Sequence, residues 1–303
     1  MKTRLIYVHK WINLGCCIST MLLMSFLIGC GSESKPARPV TVVDFGIAQS
    51  ESPQWQLIWS DEFNHSARSP VNPQNWQHDI GGHGWGNQQL EYNTNALRNV
   101  AQNGDGYLEI VALKEEIDSN AYSSGRIHSR DLFEVQYGRI EAKIKLPIGQ
   151  GIWPAFWMLG QGFPNVSWPD CGEIDIMEFR GQQPFESTGA VHGSGFSGGN
   201  ALGGRFQSDQ DLSQDFHLYA IEWSAQEIKW FVDEHLFYQL KPQDLPKNAA
   251  WPFQSPFFLL LNVAVGGHYV GSPNERTVFP QKMLVDYVRV YQAQDQSITS
   301  EDQ

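Results

Sequence analysis

Alternating apolar and polar positions in the middle of the chain predict short β-strands. In the segment "YGRIEAKIKLP", residues 137–147, apolar side chains take every second position, namely Ile140, Ala142, Ile144 and Leu146. This period of two is typical of an antiparallel strand with one face in a core and one polar face in solvent. Similar short apolar runs, separated by Gly, Pro and Asn, are "YLEIVALKE", "LYAIEW", "IKWFVD", "FFLLLNVAV" and "LVDYVRVY".

The spacing of these strands predicts the fold class. No segment has a long amphipathic helical period, and no internal repeat is present, so the chain is predicted to be all-β. Short antiparallel strands of this number bury their apolar faces by packing as two sheets. We therefore predict one domain, an antiparallel β-sandwich.

The first 29 residues have the layout of an export signal. Lys2, Arg4 and Lys10 precede an apolar stretch that is too short and too poorly flanked to span a membrane as a helix. The stretch ends in Leu-Ile-Gly-Cys, which resembles the processing box of bacterial lipoproteins. That resemblance implies cleavage before Cys30 and attachment of lipid to its thiol; an ordinary signal peptide with an incidental cysteine is the alternative.

Four segments follow from these patterns: residues 1–29 as signal peptide, 30–53 as lipidated Cys30 and a polar linker, 54–293 as the β-domain, and 294–303 as a polar tail. Ser32 is not the aspartate of an inner-membrane retention signal. We therefore expect an exported protein, anchored by lipid to the outer membrane or surface of a Gram-negative bacterium.

Net charge limits the binding partners of the protein, and the cysteine count limits its disulfides. Removal of residues 1–29 takes away three positive charges and no negative ones, so the formal net charge changes from −12 to −15. Such an acidic chain is a poor partner for nucleic acid or for anionic lipid, and the lipid anchor is its only expected membrane contact. Cys171 is the single cysteine left for the domain, so no disulfide within the chain is expected. The domain is expected to be a monomer.

Three acids with uneven spacing stand in the apolar run "GEIDIMEFRG", residues 172–181. In a regular strand Glu173 and Asp175 would share one face, and Glu178 would point to the other. A β-bulge at Ile176 or Met177 adds one residue and returns Glu178 to the face of the other two acids. The pattern therefore predicts a bulged strand, with Ile174 and one residue of the bulge in the core.

Neighbouring carboxyl groups indicate acid–base chemistry. Carboxylates that lie side by side repel each other, so one of them is expected to stay protonated near neutral pH, as a general acid requires. Retaining glycoside hydrolysis uses two carboxyl groups about 5 to 5.5 Å apart, one as nucleophile and one as acid and then base. Glutamates at both ends of the motif, with the shorter aspartate between them, fit this requirement.

The motif Glu-Ile-Asp-Ile-Met-Glu resembles the active-site signature of glycoside hydrolase family 16, in the bulged form of laminarinases. Further segments resemble laminarinases in the same order: "GRIHSRDLFEVQYGRIEAKIKLPIGQGIWPAFWMLG", "AVHGSGFSGGN", "PFFLLLNVAVGGHYVG" and "TVFPQKMLVDYVRVYQ". The resemblance covers roughly residues 55 to 292. It implies a β-jelly roll with a concave substrate cleft and a double displacement that needs no cofactor. Glu173 would be the nucleophile, Glu178 the acid and base, and Asp175 the assistant of Glu173.

The resemblance also implies substrate-binding residues: Trp153, Trp157, Arg126, His192, Asn99 and Trp85. The two tryptophans of "IWPAFW" share a strand face, and aromatic faces bind sugar rings; plain core packing is the alternative. For Arg126 the alternative is a surface ion pair, and for His192 a core histidine. Asn99 and Trp85 would belong to an N-terminal loop on the glycone side.

Many family members carry one structural calcium ion, and the matching positions here are Glu62, Gly106 and Asp286. Main-chain oxygens and one aspartate are ligand types that calcium accepts. An aspartate satisfied by backbone donors is the alternative. One further departure from the usual pattern is the hairpin "FVDEHLF", where Glu234 stands in place of the common glycine, and we expect it to lengthen the turn.

The favoured function is endo-hydrolysis of β-1,3-glucosidic bonds in laminarin-like β-glucans. The alternatives are cleavage of another β-linked polymer, such as mixed-linkage glucan, agar or carrageenan, and transfer of glucan to a sugar acceptor. A β-glucan-binding protein without activity is disfavoured because both glutamates are present.

Overall fold

The apolar alternation of the sequence forms strands throughout residues 53–294, the part of the chain that the computed structural model describes. Its strands, numbered in chain order, are β1 Trp55–Asp61, β2 Gln77–His78, β3 Glu91–Asn93, β4 Val100–Gln102, β5 Leu108–Ala112, β6 Tyr122–Ser124, β7 Arg126–His128, β8 Glu134–Val135, β9 Gly138–Lys145, β10 Ile152–Gly160, β11 Glu173–Phe179, β12 Glu186–His192, β13 Leu202–Gln207, β14 His217–Trp223, β15 Ile228–Val232, β16 His235–Leu240, β17 Phe257–Val265 and β18 Gln281–Ala293. The helices of this part are two short 3₁₀ turns, Gly198–Asn200 and Pro242–Asp244.

Two large antiparallel sheets face each other. The first, called here the back sheet, has the order β16-β15-β14-β9-β18-β5-β4, and β1 also pairs with β18. The second, called the cleft sheet, has the order β13-β12-β11-β10-β17-β7-β2, and β8 also pairs with β17. A small parallel pair, β3 and β6, stands beside them. The predicted all-β jelly-roll sandwich is confirmed.

The core lies between the two sheets and follows the period of two. Ile140, Ala142 and Ile144 of β9 are fully buried on the inner face of the back sheet. Strand β17, near the middle of the cleft sheet, is buried at every position, because its second face is covered as well. There Phe258 and Leu260 pack in a smaller apolar cluster with neighbours from β10 and the following loop. Burial on both faces explains why its sequence, "FFLLLNVAV", is nearly continuous in apolar residues.

The polar face of β9 differs from the expectation of an open, solvated surface. Arg139 and Glu141 are each only 6% exposed. The Arg139 guanidinium donates to Glu141 Oε2 at 2.7 Å and reaches Glu222 Oε1 at 3.3 Å and Glu234 Oε1 at 2.5 Å. Because β9 is flanked by strands on both sides, long side chains from its neighbours cover this row, and the buried charges are paired.

The β15–β16 hairpin was expected to have a longer turn, and that prediction is wrong. Val232 pairs directly with His235, so the loop has two residues, Asp233 and Glu234, at φ 47° and 65°. Two positive φ values are those of the tight turn that suits hairpin twist. Asp233 Oδ1 accepts the Leu218 N–H at 2.8 Å, and Glu234 is held by Arg139. These side-chain bonds stabilise a conformation for which glycine would otherwise be preferred.

The first strand begins at Trp55 and the last strand ends at Ala293. The predicted signal peptide and Cys30, the linker up to residue 52, and the tail from residue 295 lie outside the described residues. None of the helices in the described part has the length and apolar character needed to cross a bilayer.

Candidate active site

The bulge predicted in the acidic strand is present. In the pairing of β11 with β10, Phe156 lies opposite Met177 and Trp157 opposite Asp175, so Ile176 is the extra residue. The register with β12 shifts at the same place, between Asp175 and Glu178. As a result Glu173, Asp175 and Glu178 of β11 all line one cleft. Ile174, Ile176, Met177 and Phe179 all pack in the core, so both bulge residues are buried rather than one.

Side chains bind the carbonyl groups at both ends of the bulge. The Trp230 indole, which reaches across the core from β15, donates to the Asp175 carbonyl at 2.8 Å. At the other end, Thr188 Oγ1 donates to the Glu178 carbonyl at 3.3 Å. Gly189 makes room for the indole, because a Cβ atom at this position would collide with the Trp230 ring. Trp230 of the back sheet and Thr188 of β12 together hold the backbone that carries the acids.

Replacing Trp230 by phenylalanine is expected to lower kcat more than stability alone explains. The change removes the hydrogen bond to the Asp175 carbonyl and should cost about 1–3 kcal/mol of unfolding free energy. A shift of the bulge misplaces the acids, and a misplacement of about 1 Å costs on the order of 100-fold in rate. Steady-state kinetics and thermal unfolding measure the two effects.

Trp223→Phe is the matched control for this experiment. The Trp223 indole donates to the Phe253 carbonyl at 3.2 Å, is equally buried, and lies away from the acids. It should lose similar stability and keep its kcat. Equal loss of kcat in the two variants would show that the bond to the bulge has no catalytic importance.

The first two acids share a histidine. Trp168 Nε1 donates to Glu173 Oε2 at 2.8 Å. His192 Nε2 lies 3.6 Å from Glu173 Oε1 and 3.0 Å from Asp175 Oδ2. The latter contact lacks hydrogen-bond geometry, and Asp175 Oδ2 has no hydrogen-bond partner among the described residues. The Gly198 N–H donates to His192 Nδ1 at 3.0 Å, so in the neutral ring Nε2 carries the proton and faces the acids.

Burial of all three acids raises their pKa values. Burial, and then the negative charge of Asp175, raise the pKa of Glu173 to about 8. Burial also raises the pKa of Asp175 to about 7. The pKa of Glu178 lies well above its usual range, because of burial first and the charge of Asp175 second. Because the charge of Asp175 acts on both glutamates, the protonation of the three groups is interdependent.

Tryptophans border the acids on β10. Trp153 and Trp157 both line the cleft and are half-buried, so they are not core residues. Trp153 Nε1 donates to Glu178 Oε1 at 3.1 Å. Trp157 Nε1 donates to Asn262 Oδ1 of β17 at 2.7 Å. The indoles are therefore oriented by polar partners and present ring surface to the cleft.

A second wall of the cleft is built around an arginine. The Arg126 guanidinium carbon lies 4.8 Å from the ring centroids of both Trp85 and Trp157. Arg126 Nε donates to Asp79 Oδ2 at 2.8 Å. Arg126 thus lines the cleft and also forms the ion pair that was its alternative interpretation. We call Trp85, Arg126 and Trp157 the arginine stack.

Asn99 does not lie in the cleft, contrary to the prediction. Its side chain is fully buried beneath the small sheet of β3 and β6. Asn99 Nδ2 donates to the Val111 carbonyl at 3.0 Å and to Ser123 Oγ at 2.9 Å, and Oδ1 accepts from Thr94 Oγ1 at 2.7 Å. With every polar atom satisfied internally, Asn99 stabilises the loop that the sequence assigned to substrate.

Several cleft residues were missed from the sequence, and four of them have informative contacts. Trp168, Asn262, Tyr269 and Arg180 all line the cleft. Arg180 lies over the Tyr269 ring at 4.0 Å, and the Tyr269 hydroxyl is 2.8 Å from Thr188 Oγ1. The one polar residue within the apolar run "FFLLLNVAV" was an available signal for Asn262. Trp168 lies in a loop, where no strand periodicity in the sequence indicates which way its side chain points.

The residues predicted to bind calcium have other partners. Asp286 Oδ2 lies 2.8 Å from Lys143 Nζ. Both carboxylate oxygens of Glu62 accept from Arg289, at 2.9 and 2.7 Å, but the predicted ligands at Glu62 and Gly106 are main-chain oxygens, which this ion pair does not engage. The one side-chain ligand of the set is engaged by an ammonium group, which does not fit a calcium ion at the same oxygen. Calcium binding stays a prediction.

The cleft has a volume of about 690 Å³ and extends beyond the acids on both sides. A row of small residues from β12 and β13 continues its floor, namely Gly189, Ala190, Gly203 and Gly204. Within the described residues, one group of three potential metal-ligand side chains is close enough to hold an ion, and it consists of Glu173, Asp175 and His192. Two of the three are cleft acids, and the third is the histidine that faces them. Paired acids flanked by indoles in a long cleft are suited to cutting a sugar polymer.

Comparison with known proteins agrees with this geometry. The sequence model described as "Glycosyl hydrolases family 16" matches residues 85–289. A "Beta-glucanase" of Rhodothermus marinus is 41% identical over 284 residues, which are 90% of this chain and 93% of that protein. A "Glucan endo-1,3-beta-glucosidase A1" of Niallia circulans is 38% identical over 263 residues, which are 78% of this chain and 38% of that protein.

A solved structure shows the same fold. The laminarinase catalytic domain of Thermotoga maritima has a TM-score of 0.76 and 44% sequence identity, over 80% of this chain and 99% of that chain. The sandwich and its acid-lined cleft define an enzyme that hydrolyses glycosidic bonds. The chain belongs to glycoside hydrolase family 16, and the resemblance drawn from its sequence motifs is confirmed.

Proposed function

We propose that this enzyme cuts β-1,3-glucosidic bonds within laminarin-like β-glucans, with retention of configuration. The observation that carries the proposal is the bulge at Ile176, which brings Glu173 and Glu178 to one face of the cleft. Relatives named for β-glucan or β-1,3-glucan hydrolysis support the choice of polymer. The chemistry requires carboxyl groups and water, so no cofactor is needed.

In the proposed first step Glu173 attacks the anomeric carbon. The carbon–oxygen bond to the leaving sugar breaks, and Glu178 gives its proton to the departing oxygen, leaving a covalent glycosyl–enzyme ester. The raised pKa of Glu178 supports its role as the acid, whereas Glu173, whose pKa burial raises to about 8, attacks in its ionised form. The Trp168 indole N–H holds Glu173 in one orientation. Asp175 and the N–H of His192 adjoin Glu173 and balance charge as its carboxylate is consumed.

In the proposed second step the same groups act in reverse. Glu178, now ionised, takes a proton from water, and the resulting hydroxide oxygen attacks the anomeric carbon. The ester bond to Glu173 breaks, so Glu173 returns as a carboxylate and Glu178 as an acid. Two inversions at the same carbon give net retention.

The substrate is tested by release of reducing ends from a panel of polymers. Residues 31–303 should release oligosaccharides from laminarin and curdlan, and far less from barley mixed-linkage glucan, agarose or κ-carrageenan. Glu173→Gln is the inactive control. A ladder of products from laminarin supports endo action. If mixed-linkage glucan or agarose is cut faster than laminarin, the proposed specificity is wrong.

Transfer of glucan to a sugar is the alternative outcome of the second step. It requires an acceptor sugar to take the place of water at the glycosyl–enzyme ester. Products longer than the starting laminarin oligosaccharide would identify a transglycosylase. We propose hydrolysis, because the relatives that match most of this chain are named as glucanases.

Trp157→Ala is expected to impair long substrates more than short ones. The indole belongs to the arginine stack, and loss of one sugar-stacking ring should lower kcat/KM on laminarin by about tenfold. A short aryl glycoside that does not reach the arginine stack should lose less. Steady-state kinetics on both substrates make the comparison. Equal losses on both would mean that Trp157 serves packing rather than binding.

We further propose that the enzyme is exported and anchored by lipid on Cys30 at the outer membrane or cell surface. The basic residues, the short apolar stretch and the Leu-Ile-Gly-Cys sequence support this. Metabolic labelling with a fatty-acid probe should mark the wild type and leave Cys30→Ser unmarked. Labelling of both would contradict lipidation at this cysteine.

A further inference from the structure

A fourth buried acid, Glu91, adjoins the cleft and takes no part in the proposed chemistry. It lies on β3 and is 1% exposed. Glu91 Oε2 accepts the Val265 N–H of β17 at 2.8 Å. Its other oxygen, Oε1, is buried and has no hydrogen-bond partner among the described residues. A buried carboxylate with one unpaired oxygen is costly, so the protonation of this group needs explanation.

Its neighbour Asn93 also has a buried side-chain oxygen without a hydrogen-bond partner among the described residues. Asn93 follows Glu91 by two residues on β3, so both side chains project to the same side of the strand. Asn93 Oδ1 is also buried and unpaired, and the Asn93 side chain is within hydrogen-bonding reach of the Glu91 carboxyl group. A proton on Glu91 Oε1 would donate to Asn93 Oδ1. One proton then satisfies both buried oxygens.

Glu91 anchors the loop that bears part of the cleft wall. The bond to Val265 is accompanied by one from the Leu90 N–H to the Val265 carbonyl at 2.7 Å. The turn after β17 is pressed against this loop: a Cβ atom at Gly266 would lie 2.7 Å from the Leu90 side chain, and one at Gly267 would lie 2.9 Å from the Asn87 carbonyl. Both glycines have positive φ. Residues 84–91 are thus clamped to the end of β17.

The contacts between residues 84–91 and the end of β17 also reach the arginine stack. Residue Trp85 of this loop lies on one side of Arg126, and Trp157 lies on the other. Trp157 is in turn bonded to Asn262 of β17, the strand that Glu91 holds. A change at Glu91 would therefore displace the loop and strand that together position both rings.

We propose that Glu91, in its protonated form, is a positioning residue that holds the arginine stack in its substrate-binding arrangement. The proposal rests on the proposed function for its activity measurements. Glu91 contacts neither the acids nor the cleft surface, so it acts through the loop 84–91 and β17.

The charges around Glu91 set the pH at which this arrangement fails. Burial raises the pKa of Glu91 to about 8, while the backbone N–H groups of Val265 and Glu91, the Arg126 charge and the Asn93 side chain oppose that rise. Arg126 of β7 is the charged group whose electrostatic attraction reaches Glu91. The same guanidinium also interacts with the carboxyl groups of Asp79 and Glu173. Tyr122 of β6 lies opposite Glu91 in register. Ionisation above pH 8 would leave a charged carboxylate facing the Asn93 carbonyl oxygen.

The first test compares KM for laminarin between pH 7 and pH 9. If ionised Glu91 leaves the stack unformed, the binding-competent fraction falls with a pKa of about 8, and KM rises about tenfold. Glu91→Gln keeps an acceptor for Val265 and a donor for Asn93 and does not titrate. Its KM should therefore rise much less than that of the wild type over this range, and the cleft acids, which titrate in both proteins, account for the remaining change. Glu91→Ala should have a raised KM at every pH, with a smaller change in kcat.

The control is Glu109→Gln. Glu109 is also buried, at 8% exposure, but it lies on the back sheet and pairs with Arg68 and Lys282. It should keep the wild-type dependence of KM on pH. If Glu91→Gln shows the same tenfold rise as the wild type, or Glu91→Ala keeps the wild-type KM, the proposal is overturned.

A second test needs no substrate. A carboxyl group with a raised pKa binds its proton more tightly in the folded state, so its contribution to stability falls as the pH rises from about 4.5 to about 8 and is then constant. The Tm of Glu91→Gln should therefore exceed that of the wild type by a margin that grows over this range. A margin independent of pH would mean that Asn93 presents its amide N–H₂ to an ionised Glu91, and the proposal would fail even if laminarin is the substrate.

Discussion

Glu173→Gln is expected to lower kcat on laminarin by on the order of 10⁴-fold or more. Glutamine has nearly the same shape as glutamate, and its amide oxygen accepts the Trp168 N–H as the carboxylate does. It is a very poor nucleophile, so the glycosyl–enzyme ester does not form. KM should change little, because the arginine stack is untouched. Substrate depletion followed over hours measures the residual rate.

Chemical rescue tests whether Glu173 is the nucleophile rather than a supporting acid. In Glu173→Ala the missing side chain leaves space for azide, which can attack the anomeric carbon of an activated aryl glycoside directly. One displacement instead of two gives a glycosyl azide of inverted configuration, with Glu178 still present as the acid. Proton NMR of the product assigns the configuration. A product of retained configuration, or full activity of Glu173→Gln, would contradict the role of Glu173.

Glu178→Gln is expected to lower kcat on laminarin by on the order of 10³- to 10⁴-fold. A glucan oxygen leaves poorly without a proton, and the amide cannot provide one. An aryl glycoside with an acidic phenol leaving group needs no proton to depart, so its first step should be much less affected. A burst of phenol followed by slow turnover would show that the ester still forms. Equal loss on both substrates would assign Glu178 a role other than acid and base.

The same replacement should stabilise the folded enzyme at alkaline pH. Because the pKa of Glu178 is raised above its ordinary 4.5 in the folded chain, the unfolded chain loses this proton first as the pH rises. The contribution of Glu178 to stability therefore decreases as the pH rises above about 4.5. Glu178→Gln removes this loss, so its Tm should exceed that of the wild type by more at pH 8 than at pH 5. Differential scanning calorimetry at the two pH values measures the change.

Residues on regular strands were the most predictable part of the site. Trp153 and Trp157 share a face because they are four residues apart on β10, and both line the cleft. The uneven spacing of the acids predicted the bulge that places Glu178 on the face of Glu173, because one extra residue reverses the side on which later strand residues lie. In these cases the local period alone decides direction, and the period is written in the sequence.

Residues in loops were predictable only through family resemblance, and with mixed success. Trp85 lines the cleft as that resemblance implies, whereas Asn99, from the same stretch of chain, is buried and fully hydrogen-bonded. Loop direction depends on contacts with distant strands, such as those between Leu90 and Val265. The hairpin at Glu234 was misjudged for the same reason, because its stabilising partner Arg139 is 95 residues away.

The sequence by itself determined the strand periodicity, the all-β class, the three acids and the bulge that unites them, because each depends on neighbours within a few residues. The tertiary structure decided how those acids are surrounded. Trp230 from the back sheet holds the bulge, Trp168 binds Glu173, and the buried setting raises the carboxyl pKa values. Burial and pairing between distant segments arise only when the two sheets pack, so no local pattern in the sequence encodes them.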